Sequence, residues 1–209
     1  MGLWNSRKAL GIHFDGRRVF LAVLEMKSKG GVEPLCLIEG KLSEVFDADA
    51  LKDAGARNRV ADLIADIVEE NDVNLRDACF SLNYNAVFVK RSPISSGDTN
   101  EIREHLRWEA ITILNAKDEK LVTDFFSVTD WMFSITIREK VLDLYRDVAK
   151  RAGIKKIDVD VPHFGLYNAM DGTEFIDSLG AYLLMYIGEN EVFVVLVKDG
   201  ELVQIGTYV

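Results

Sequence analysis

Positive charge is in short supply in this chain. Its 209 residues hold 25 Lys and Arg against 34 Asp and Glu, a formal net charge of −9. A surface that grips nucleic acid or anionic lipid neutralises phosphates with cations, so this balance argues against both as the main role. Basic pairs do occur, at Lys90-Arg91, Lys150-Arg151 and Lys155-Lys156 among others, but they are scattered as on solvated faces. Cysteine is scarce too, with Cys36 and Cys79 alone. A secreted disulfide scaffold would be far denser in it, and each of the two sits in an apolar, strand-like run. They read as small buried hydrophobes of a reducing compartment. No apolar run approaches the ~20 residues of a membrane span, and no signal-peptide core follows Met1, so a cytoplasmic location is expected. Met1-Gly2-Leu3-Trp4-Asn5-Ser6 matches the short N-myristoylation pattern, but is read as a frayed tail with one adhesive Trp4.

The common signatures of catalysis are missing as well. Gly40-Lys41-Leu42-Ser43 lacks the upstream glycine of a phosphate loop, and no Gly-x-Ser-x-Gly elbow occurs. His13, His105 and His163 lie on three different elements without the close spacing of a metal pair, so no metal site is expected. What remains is ordinary globular material: 48% hydrophobic and 28% charged, long enough for one large domain or two small ones.

The pattern along the chain is α/β. Leu10 to Phe14, Arg18 to Met26 and Pro34 to Ser43 read as strands punctuated by Asp15-Gly16 and Gly30-Gly31. Asp47 to Ala56 is a loop or short helical turn. Val60, Leu63, Ile64, Ile67 and Val68 then mark one face of a helix, and Asp77 to Leu82 is a strand. A second block follows, with a strand from Ala86 through Val89 and a break at Pro93. Asp98 and Glu101 form a capping box that starts a helix with Ile102, Leu106, Glu109 and Ile113 along one line and Trp108 beside it. Leu121 to Val128 and Trp131 to Ile137 complete an inserted βαββ unit. A helix from Glu139 to Ala152 ends at Gly153, a strand spans Ile157 to Val161, and Pro162 opens a short helix through Met170. Gly180 to Ile187, Glu191 to Lys198 and Leu202 to Tyr208 close the chain as strands, with Asp171-Gly172 and Asp199-Gly200 as turns.

The chain repeats itself. His13-Phe14-Asp15-Gly16 before Val19-Phe20-Leu21, and Tyr186-Ile187-Gly188-Glu189 before Val192-Phe193-Val194, are two copies of one hairpin. Two such copies suggest a duplicated fold whose turns face each other across a cleft. The last three strands have no covering helix, which leaves an apolar face and an open edge. Either the chain belongs to a longer protein or a partner covers them, a second copy included; a homodimer through these strands is one expectation.

The order of elements resembles the actin-like fold, and the insert after the fourth strand resembles the arrangement of the FtsA and PilM families. Arg107-Trp108-Glu109-Ala110 is similar to a segment of the PilM family's inserted helix, and Asp124-Phe125 sits where that family has Asp-Tyr. Ala152-Gly153-Ile154 with Asp158-Val159-Asp160-Val161-Pro162-His163-Phe164-Gly165-Leu166 resembles another of its passages. The GspL family of type II secretion is a near alternative. The resemblance implies an actin-like subdomain from residues 1–83 and 138–173, an inserted subdomain at 84–137, and an incomplete second actin-like subdomain at 174–209. It implies a cytoplasmic, non-enzymatic scaffold of type IV pilus assembly, held peripherally at the inner membrane through partners. Those partners would be the cytoplasmic tail of a PilN-like bitopic protein and a pilus assembly ATPase. The tail's groove would involve Val87, Phe88, Val89, Leu106, Trp108 and Ala110, for which ordinary packing within the insert is the competing reading.

In that family both turns read Asp-x-Gly and hold nucleotide phosphate and magnesium. Here His13 takes the first Asp place, Asp15 the Gly place and Tyr186 the second Asp place; only Gly188 is kept, with Gly16 a shifted substitute. Asp15 would set a carboxylate against a phosphate, at a cost of about 4 kcal/mol for like charges ~4 Å apart near a surface. No bound ATP or magnesium, and no ATPase activity, is therefore expected. The rival expectation is a nucleotide-binding actin-like ATPase or kinase relative with a divergent site.

Overall fold

The computed structural model of the chain describes residues 8–26, 32–71, 77–171 and 180–208. The Met1–Ser6 motif and the Gly30-Gly31 turn lie outside them.

Three sheets organise the described residues. The largest is built from β1 (Lys8–Asp15), β2 (Arg18–Met26), β3 (Val32–Lys41), β4 (Asp77–Ser81) and β8 (Lys156–Asp160), in the order β3-β2-β1-β4-β8. The first three strands are antiparallel neighbours, while β1, β4 and β8 run parallel, linked through helical crossovers. Alternation along β1 and β2 sends Leu10, Ile12, Phe14, Val19, Leu21 and Val23 to one face. Two helices cover that face: α1 (Ala54–Glu70) with Val60, Ile64 and Ile67, and α3 (Glu139–Arg151) with Val141, Tyr145 and Val148. Asp53 caps α1 by accepting from the Gly55 and Ala56 amides.

The insert is β5 (Val87–Pro93), α2 (Thr99–Ile113), β6 (Leu121–Val128) and β7 (Trp131–Arg138), with sheet order β5-β7-β6. The capping box forms: Asp98 accepts from the Asn100 and Glu101 amides, and Glu101 accepts from the Asp98 amide. Two local expectations change. β5 runs on to Pro93, which an edge strand tolerates because one side of it needs no ladder donor. The buried line of α2 is Leu106 and Ala110, whereas Ile113 is 52% exposed, and the end of the helix packs through Ile111 and Leu114 instead.

The third sheet, order β11-β10-β9, contains β9 (Ala181–Ile187), β10 (Val192–Lys198) and β11 (Glu201–Tyr208). Asp199 and Gly200 both take positive φ between β10 and β11, as a type I′ turn demands. One face, with Val195, Val197 and Leu202, packs on Phe164 of α4 (Pro162–Asp171) and on Phe133 of the insert. The other face leaves Leu183, Met185, Ile187 and Leu196 exposed. Cys36 and Cys79 are half-buried rather than fully enclosed. Burial, and then the carboxylates of Asp160 and Asp158, push the Cys79 thiol up to about 11, so it stays protonated near neutral pH.

Aromatic rings join the first sheet to the third. His13 stacks on Phe20 and meets the edges of Tyr186 and Phe193; Tyr186 stacks on Phe193, which also meets His163. His13 shares a hydrogen bond with the Ser81 hydroxyl, and His163 Nε2 lies 2.9 Å from the Gly206 carbonyl. Burial holds both imidazoles below their ordinary 6.5. Deep in the first core, the Tyr145 hydroxyl donates to Asn83 Oδ1 at 2.6 Å and accepts from the Asn83 amide at 3.1 Å.

Two stability predictions follow from these contacts. Tyr145→Phe strands both Asn83 groups in a dry site, so the urea midpoint should fall by an amount equivalent to about 1–3 kcal/mol; an unchanged midpoint contradicts the arrangement. For the histidines, the unfolded chain takes up protons near 6.5 while the folded chain resists until lower pH. Stability therefore falls as pH drops through 6.5 towards the lowered folded values. Melting midpoints measured from pH 7.5 to 5.5 should decline, and replacing His13 and His163 together by Gln should flatten that decline. An equal slope in the double variant would refute the assignment.

Candidate functional site

The two repeated hairpins meet at their turns. β1 and β2 are joined by a two-residue loop, Gly16-Arg17, in which only Gly16 has positive φ (+60°), as at the first central position of a type II′ turn. The β9–β10 loop is longer, Gly188 to Glu191, closed by the Gly188 amide on the Glu191 carbonyl.

Asp15 lies at the centre of the meeting point and is 1% exposed. Its Oδ1 accepts from the Glu189 amide at 2.6 Å; its Oδ2 accepts from the Tyr186 hydroxyl at 2.9 Å and from Arg18 at 2.5 Å. Three donors satisfy a carboxylate that burial would otherwise penalise heavily. The contact is reciprocal, because Glu189 Oε2 accepts from the Arg17 amide at 2.7 Å. Each turn thus offers a backbone N–H to a carboxylate of the other. Burial, and then the bond to Asp15, push the Tyr186 phenol far above its usual 10, so it remains a donor. Beside the junction an open groove of about 430 Å³ is lined by Arg17, Arg18, Lys41, Gly188 and Glu189.

All five sequence-predicted turn residues, His13, Asp15, Gly16, Tyr186 and Gly188, are therefore gathered in one place. The residue that sequence reasoning missed is Glu189. The available signal was its position next to Gly188, mirroring the Asp15-Gly16 pair in reverse order.

The expected partner-binding residues behave differently. Strand alternation sends Val87 and Val89 to one side of the insert and Phe88 to the other. Val87 and Val89 line a small cleft of about 160 Å³ with Val161, His163 and Ile205, whereas Phe88 packs on Ala110 and Leu121. Leu106 and Ala110, each 3% exposed, lie inside the insert and present nothing to a partner. This corrects their expected place in a groove: they form the face by which α2 sits on its sheet. Glu109 pairs with Lys90 and pins α2 to β5. Trp108 departs from the packing reading, being 62% exposed at the edge of a cleft of about 620 Å³. That cleft lies between α2, the start of β6 and the start of α3. Trp108, Ile111 and Leu121 supply its apolar wall, with Arg107, Lys117 and Lys120 around it. Glu119, also in the cleft, is held by Lys140 and Arg138, which keep its carboxyl below the usual range. His105 is exposed. No group of three or more metal-ligating side chains gathers among the described residues, and none of their helices is long and apolar enough to cross a membrane.

No family model matches the chain, and no curated protein does so either. Solved structures do. A chain of a PilM–PilN type IV pilus biogenesis complex superposes with a TM-score of 0.79 at 16% identity, covering 95% of this chain and 60% of that one. The cytoplasmic domain of EpsL, an inner-membrane component of the type II secretion system of Vibrio cholerae, gives 0.57 at 12% identity, covering 96% and 71%. A Bacteroides thetaiotaomicron protein with an actin-like ATPase fold gives 0.50 at 7%, covering 97% and 70%. The chain thus spans 60% of the length of the first of these. At these identities the likeness concerns architecture, and it settles the fold: this chain has the actin-like fold, with a βαββ unit inserted after its fourth strand.

Proposed function

We propose that the protein is a non-enzymatic scaffold of a type IV pilus or related secretion machine, and that it binds the short cytoplasmic tail of a PilN-like membrane protein. The observation that carries this reading is the superposition on a chain of a PilM–PilN type IV pilus biogenesis complex over 95% of this chain. The likeness to cytoplasmic EpsL supports a secretion-type setting through a second structure. In this reading the protein works in the cytoplasm, is held at the inner membrane by that partner, and passes contacts on to an assembly ATPase.

The insert offers the surface for such a tail. Trp108, Ile111 and Leu121 form an apolar wall beside the first turn of α3, at the seam between the insert and that helix. An exposed Trp at the mouth of a concave surface is the residue type that anchors protein interfaces. Leu106 and Ala110 seat α2 on its sheet and so fix the helix that carries Trp108. An extended tail with leucines at alternate positions would lay apolar side chains on that wall. The turn junction supports the non-enzymatic half of the reading, since Asp15 and Glu189 fill the space between the turns with their own negative charge.

Binding of a labelled peptide tests the reading directly. The peptide should copy the cytoplasmic tail of a PilN-like single-span protein from the same organism. Micromolar binding is expected, weakened at least tenfold (about 1.4 kcal/mol) by Trp108→Ala. Absence of binding to the wild-type protein, or equal affinity of the variant, would overturn it.

A further inference from the structure

We infer that Asp15 and Glu189 are built-in substitutes for a bound oxyanion, so that the first and third sheets are locked together without any ligand. This goes beyond the scaffold reading and holds whether or not a partner tail binds.

The donors around the two carboxylates are those of an anion site. Backbone N–H groups of Arg17 and Glu189 converge from two turns, a phenol donates from Tyr186, and Arg18 adds a charged donor. Turn amides backed by cations form the concavities that hold phosphate oxygens. The adjoining groove carries three cations, Arg17, Arg18 and Lys41, in a chain whose net charge is −9. Cations collected at that one mouth would suit an anion arriving from solvent, yet the anions present belong to the chain.

The two glycines show how closely the carboxylates fill the space. A Cβ on Gly16 would overlap the Glu189 carboxylate, and one on Gly188 would stand 2.6 Å from Asp15 Oδ1. Neither glycine leaves room for an external oxyanion. Each leaves room for the opposite turn's acid. Asp15 is sealed in, while Glu189 lies at the surface and covers the Arg17 amide from the solvent side. Glu189 is therefore the removable half of the lock. Without it the Arg17 amide and the three cations face an open groove.

Titration of inorganic pyrophosphate, and separately Mg-ADP, into wild type, Glu189→Ala and Glu189→Gln tests this by calorimetry. Wild type should take up neither at 1 mM. Glu189→Ala should bind pyrophosphate at least tenfold more tightly than wild type. Glu189→Gln keeps a carbonyl acceptor for the Arg17 amide and should stay closed. Binding of Mg-ADP without pyrophosphate would show a nucleoside site rather than an oxyanion site and would count against the inference. So would equal binding by wild type and Glu189→Ala, or no binding by a folded Glu189→Ala. Amide hydrogen exchange on the wild type provides a second check that needs no variant. The Arg17 and Glu189 amides should exchange at least a hundredfold more slowly than free turn amides, and free-turn rates would sink the lock.

Discussion

A buried carboxylate has to find donors or give up its charge, and Asp15 finds three of them on two separate sheets. That requirement governs the relation between the two halves of this molecule. Arg18 comes from the same hairpin, but Tyr186 and the Glu189 amide arrive from the other end of the chain. Separating the sheets would leave Asp15 with its own hairpin's arginine alone, at a cost on the order of 3–5 kcal/mol for breaking a buried, hydrogen-bonded charge. The rings of His13, Phe20, Tyr186 and Phe193 pack against one another just behind the turns and reinforce the same closure. Polar and apolar terms thus favour one relative placement of the sheets.

A fixed junction has consequences for the insert. Phe133 of β7, Phe164 of α4 and Val195 of β10 share one small core, so the insert is packed against the third sheet as well as joined to the first. Locking the sheets therefore also steadies the platform that carries α2. On the proposed scaffold function, recognition at Trp108 and its cleft would need no conformational change driven by a bound nucleotide.

Much of the architecture was legible from local pattern. The Val60 to Val68 stripe, the Asp98–Glu101 capping box and the turn glycines each report a constraint that acts within a few residues. The two Val-Phe strands exposed the duplication for the same reason. The lock was harder to read because its chemistry is not local: Asp15 meets the Glu189 amide across 174 positions of sequence. Asp15 could be recognised as hostile to phosphate, but its satisfied state depends on a turn whose geometry only the folded chain fixes. The insert shows the opposite failure. Apolar residues on α2 are equally apolar whether they face a sheet or a partner, so Leu106 and Ala110 could not be told from Trp108 until packing assigned them sides. β5 misled in a related way, since Val87, Phe88 and Val89 are contiguous in sequence yet divided between two faces by the pleat.

The distance between the first and third sheets tests the lock most directly. Spin labels at the exposed positions Glu39→Cys and Gln204→Cys, with Cys36 and Cys79 replaced by Ser, would report it by pulsed electron resonance. A single narrow distance, unchanged by millimolar Mg-ATP, is the result expected of two turns held by their own carboxylates. A broad distribution that Mg-ATP narrows or shifts would mean that a nucleotide, not Asp15 and Glu189, closes the molecule.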